Sequence, residues 1–73
     1  MENKITLDVR GLEPPEPLER VLDALSSLRT DQQLCMQIDR EPFPLYRILD
    51  ANGFNHKTDP MPDFSYEVLI WHK

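Results

Sequence analysis

The chain has 73 residues, 40% of them hydrophobic and 29% charged, and carries a formal net charge of -5. That length has room for one domain, residues 1–73. So short a chain buries only about 60% of the surface its unfolded form exposes, so a modest stability is expected. The single cysteine, Cys35, excludes an internal disulfide framework and fits a reducing compartment. No stretch approaches the ~18 apolar residues of a membrane span, and the N-terminal MENKITLDVRG lacks the apolar run of a secretory leader. A cytoplasmic protein with no membrane association is therefore expected. Nucleic-acid binding rests on neutralising phosphates. The eight basic residues are scattered along an acidic chain, which argues against that role.

Residues 4–9 alternate, with Ile5, Leu7 and Val9 on one side and Lys4, Thr6 and Asp8 on the other, the period of a strand covered on one face. Gly11 breaks that strand and a proline cluster follows, Pro14, Pro15 and Pro17. From Pro15 the period changes. Leu18, Val21, Leu22, Leu25 and Leu28 fall on one helical stripe ending near Arg29. Proline is tolerated in a first helical turn, where amide hydrogens lack intrahelical partners. Glu16 and Glu19 complement the positive end of the helix dipole and Arg29 the negative end.

Residues 33–38 alternate again, Leu34, Met36 and Ile38 against Cys35 and Gln37, and a polar turn, Asp39-Arg40-Glu41-Pro42, follows. A second helix is predicted from about Pro44 to Asn52, with Leu45, Ile48 and Leu49 inward and Gly53 as its stop. Residues 54–58 predict a short strand, 59–63 a loop and 64–72 the last strand. In that strand Phe64, Tyr66, Val68 and Ile70 share one face, while Leu69 and Trp71 make the other apolar as well. A central place in the sheet, or an outer face that meets something, follows. The sum is an α/β (α+β) two-layer sandwich of order β-α-β-α-β-β. Its two crossovers call for parallel pairing, its last two strands form a hairpin, and its four-stranded mixed sheet carries both helices on one face.

This order and two sequence runs resemble the TusA/SirA superfamily, and within it the uncharacterised DUF2249 branch. The runs are Leu7-Asp8-Val9-Arg10-Gly11-Leu12 with Pro14-Pro15-Glu16-Pro17-Leu18, and Asp39-Arg40-Glu41-Pro42-Phe43-Pro44-Leu45-Tyr46. The resemblance implies a TusA/SirA-like fold over about residues 4 to 72. It also implies a sulfur carrier's pattern, Gly-Leu-x-Cys-Pro-x-Pro, whose cysteine carries sulfur as a persulfide. Here that pattern reads Gly11-Leu12-Glu13-Pro14-Pro15-Glu16-Pro17, with Pro14 at the cysteine's position.

A persulfide carrier needs an exposed thiol of lowered pKa, as at a helix N-terminus. Pro14 offers none, and Cys35 is placed in mid-strand on the face opposite Leu34, as a small half-buried residue. Phosphate binding at the same helix start is disfavoured. Pro14, Pro15 and Pro17 each remove an amide hydrogen, while Glu13, Glu16 and Glu19 repel anions. His56 and His72, sixteen residues apart and both expected at the surface, lack metal-ligand spacing, and neither a cofactor nor a metal is expected.

The loops leaving two parallel strands lie at one end of a sheet, where ligands of open α/β sheets bind. Arg10, Glu13, Pro14, Pro15, Pro17, Asp39, Arg40 and Tyr46 are therefore the candidate binding residues. The same charges are equally read as ordinary surface ion pairs. Cys35, Leu69 and Trp71 would share the open sheet face and give a dimer or partner surface. The function expected is a non-catalytic binding or adaptor module with a protein partner. The alternatives are a sulfur-relay or redox protein using Cys35, and an RNA-binding module. The last is suggested by a resemblance of the fold to the C-terminal domain of a bacterial translation initiation factor.

Overall fold

The computed structural model describes residues 3–73; residues 1 and 2, part of the single unit expected from the sequence, lie outside the described residues. The elements run β1 (Lys4–Asp8), α1 (Glu16–Ser26), β2 (Gln33–Ile38), α2 (Phe43–Ala51), β3 (Phe54–Pro60) and β4 (Tyr66–His72). One four-stranded sheet has the order β1-β2-β4-β3. Strand β1 pairs with β2 in parallel, while β4 pairs antiparallel with both β2 and β3. The second crossover therefore does not deliver β3 to the side of β2, as two simple parallel crossovers would. Strand β4 returns between them. Its composition suits the central place: Val68 and Ile70 are buried beneath the helices, while Leu69 and Trp71 on the open face are half-buried between neighbouring strands.

The register puts Ile5, Leu34 and Ile70 on one row, and Leu7, Met36 and Val68 on the next. These rows face the helices. Leu34, Met36, Val68 and Ile70 are fully buried, closed over by Val21 and Leu25 of α1 and by Leu45 and Leu49 of α2. Burial of such side chains stabilises a fold by about 1.5–3 kcal/mol each, and this two-layer contact is the chain's one substantial source of it. Ile5 stays 42% exposed because it lies at the start of an edge strand.

Helix α1 stops at Ser26, three residues before the predicted end. The Ser26 hydroxyl donates to the Asp23 carbonyl, the Ser27 amide to the Ala24 carbonyl and the Leu28 amide to the Leu25 carbonyl. Serine competes with the helix for backbone partners in this way. Leu28 is still buried beyond the stop. Arg29 pairs with Asp31 instead of serving the helix end. Helix α2 closes as its sequence suggests: Asn52 Nδ2 donates to the Ile48 carbonyl and Gly53 adopts φ 80°.

The β3–β4 turn departs most from expectation. Phe64 belongs to no strand; it sits at φ 69° with 90% of its surface exposed. Its neighbours hold the turn. The Met61 amide donates to the Ser65 carbonyl, the Phe64 amide to the Met61 carbonyl, and both the Ser65 amide and hydroxyl to Asp63 Oδ1. A non-glycine residue in this region costs roughly 1–2 kcal/mol. Phe64→Gly is therefore expected to raise stability by roughly 0.5 kcal/mol once glycine's greater freedom in the unfolded chain is discounted. Phe64→Val should lower stability, because branching at Cβ worsens the strain. Urea unfolding of the two variants checks the order. A less stable glycine variant would show that the ring, not the turn, holds this segment.

Candidate functional site

Strands β1 and β2 both point toward the same sheet edge, and the β3–β4 turn reaches that edge too, since Ile38 and Pro60 both pair with Tyr66. Three loops thus meet there, and side chains tie them together. The Gly11 amide donates to Asp39 Oδ2 at 2.6 Å, joining the loop after β1 to the loop after β2. Gly11 adopts φ 80°, which presents its amide at little steric cost. Arg10 grips Asp8 through Nε and Nη2, both at 3.0 Å, and reaches Asp63 of the hairpin turn through Nη1 at 3.3 Å.

Under this edge lies a groove of about 630 Å³ between the start of α1 and the start of α2. Its floor is apolar: Val9, Leu12, Leu18, Val21, Met36, Ile38 and Leu45. Its walls are proline, with Pro14, Pro15 and Pro17 on one side and Pro42 and Pro44 on the other. Its charged groups are Glu13, Asp39, Arg40 and Glu41. Both helices start without a side-chain cap and with proline in the first turn. The Pro14–Pro15 peptide bond is cis.

Six of the eight candidate residues line this groove: Glu13, Pro14, Pro15, Pro17, Asp39 and Arg40. Arg10 does not; it is spent on Asp8 and Asp63 at the rim of the sheet. Tyr46 does not either. Its hydroxyl lies 3.0 Å from Glu41 Oε2 and 2.6 Å from Thr58 Oγ1, and its ring stacks on His56 at 4.4 Å with 5° between the planes. Tyr46 thus fastens α2 to β3. Neither histidine is a free surface residue. His56 is held in that stack, and His72 Nε2 lies 2.9 Å from the Leu28 carbonyl. What sequence reasoning missed is the floor, whose residues carry the periodicity of core. The doubled proline pattern at Pro14–Pro17 and Pro42–Pro44 was the available signal.

The thiol lies elsewhere. Cys35 pairs in register with Thr6 and Leu69 on the sheet face away from the helices, beside the row of Gln33 and Trp71. It is only 5% exposed, deeper than the half-buried place expected for it. Leu69 and Trp71 on that face are half-buried. Burial, reinforced by the nearby Glu67 carboxylate, pushes the Cys35 thiol above its ordinary range. Little thiolate exists near neutral pH, and a disulfide reagent at pH 8 should react with native Cys35 at least about tenfold more slowly than with the urea-unfolded chain. Equal rates would mean that the thiol is open. Among the described residues no three His, Cys, Asp or Glu side chains are placed to hold a metal ion.

Asp8 and Asp63 both titrate below the usual carboxylate range, for different reasons. The Arg10 guanidinium holds Asp8 down, whereas hydrogen bonds from Ser65 do most of the work at Asp63. A depressed folded-state pKa stabilises the fold above the unfolded value and is lost as pH falls through the folded one. Arg10→Ala should therefore move the Asp8 titration up toward the ordinary range and leave Asp63 largely in place, and the variant's stability should fall less than the parent's between neutral and acid pH, because Asp8 then has no stabilisation left to lose. Carboxyl-carbon NMR titration reads both sites. Equal upward shifts would show that Arg10 governs the turn as well.

Residues 6–72 match the profile of DUF2249, described as an uncharacterized conserved protein. No curated protein matches the chain. In structure the chain is similar to a SirA-like protein from Desulfitobacterium hafniense, with a TM-score of 0.80 and 23% identity over 90% of this chain and 93% of that one. Likeness at that identity carries the fold alone. It establishes the two-helix, four-stranded SirA-like arrangement expected from the Gly11–Pro17 run.

Proposed function

The chain belongs to the DUF2249 family, and we propose that it is a non-catalytic binding module that receives a protein partner in the proline-walled groove. The observation that carries this reading is the makeup of the groove. An apolar floor of about 630 Å³ opens at the carboxyl ends of two parallel strands, and proline stands where a sulfur carrier of this fold has its nucleophile. Pockets of this size and lining hold ligands by burial, with a few polar groups setting orientation. Sulfur relay through Cys35 is less well supported, because the thiol is buried and lies on the other face of the sheet. An RNA-binding role finds no support in the groove, where carboxylates outnumber the lone Arg40. The one cysteine, free and buried, is in keeping with a cytoplasmic protein. Among the described residues no helix is long and apolar enough to cross a membrane.

A photo-crosslinking side chain introduced at Glu13, on the groove, and separately at Lys57 distinguishes the partner surfaces. Lys57 sits opposite Leu69 on the open face, where a homodimer through Cys35, Leu69 and Trp71 would form. Crosslinking in cells that make the protein should give a discrete adduct from position 13. Self-adducts from position 57 with none from position 13 would replace the groove reading by the dimer.

A further inference from the structure

The donors and acceptors around the groove select a charge type for its occupant. A groove wall normally offers backbone amides. Here five wall residues are prolines and have none. Of the remaining lining amides, three are already committed within the chain: Val9 donates to the Gln37 carbonyl, Gly11 to Asp39 and Leu45 to the Pro42 carbonyl. Acceptors are plentiful by contrast. Glu13, Asp39 and Glu41 each have carboxylate capacity left, Asp39 taking one amide and Glu41 one tyrosine hydroxyl. Against three carboxylates the groove sets one cation, Arg40, on a chain of net charge -5. A ligand brought here must supply hydrogens and positive charge, and it must offer an apolar group to the floor.

Resting on the groove reading above, we infer that the groove takes a basic segment of a protein partner, an aliphatic side chain seated on the Val21 and Leu18 floor with a flanking lysine or arginine at Glu13 and Glu41. An acidic ligand would instead set its charge against three carboxylates, with Arg40 the one cation among the lining residues to meet it. Charge complementarity of this kind governs which partner is accepted more than how tightly.

The test uses three fluorescein-labelled hexapeptides on the whole protein: alternating lysine and leucine, alternating serine and leucine, and alternating glutamate and leucine. Fluorescence anisotropy gives affinity, and the methyl signals of Leu12, Leu18 and Val21 report seating. The lysine peptide should bind, weaken as salt rises, and shift those methyls. Its Kd should rise by about tenfold or more in Glu13→Gln/Glu41→Gln, which keeps an acceptor at each position and removes the charge. It should stay near the parent value in Asp23→Asn/Asp50→Asn, which removes the same net charge from exposed helix positions. Equal weakening in the two double variants would overturn the inference, leaving only a diffuse attraction to an acidic protein. Binding of the serine or glutamate peptide as tight as that of the lysine peptide, with the same methyl shifts, would overturn the choice of charge and keep the groove. No methyl shift with any peptide would overturn both readings.

Discussion

Everything at the edge that carries the groove depends on β4 standing between β2 and β3. Val68 and Ile70 seal the layer beneath the helices, and Leu69 extends the same strand across the open face beside Cys35. With β4 in the middle, the β3–β4 turn must come back at the end of the sheet where β1 and β2 finish. Three loops that are remote in sequence are forced to share one rim, and Arg10 can reach Asp63 across 53 positions of chain. Placed at the edge, β4 would take the turn away from the groove.

The helices follow from the same frame. Each enters through prolines, and neither has a side-chain cap, so their starts are positioned from outside: by the Gly11–Asp39 bond on one side and by Tyr46 with its partners Glu41 and Thr58 on the other. The groove is the gap those two anchors hold open. Its shape therefore belongs to the loops' cross-links as much as to the helices that flank it.

Much of this architecture was legible in the residues. The alternation of Leu34, Met36 and Ile38, the stripe from Leu18 to Leu28 and the glycine at position 53 each name one element, because local period and turn chemistry act over a few residues. Six of the eight candidate residues line the groove. The rest required the third dimension. Nothing near Arg10 says that its guanidinium is taken up by Asp63, and nothing near Tyr46 says that its ring is laid against His56. Phe64 was read as strand because it continues an apolar alternation; the Asp63–Ser65 bonds that turn the chain there are side-chain choices which periodicity does not register. Val21 and Leu45 look like core because they are core, and the groove floor is simply the side of that core that the proline loops leave open.

The prolines have one more consequence. Five of the chain's seven stand in the groove wall, and a proline gives no signal in a proton–nitrogen correlation spectrum. The walls of the groove are thus dark to the commonest way of mapping a surface, although the residues between them are not. Contact with the walls themselves would be read from carbon-detected resonances, and contact with the floor from its methyl groups.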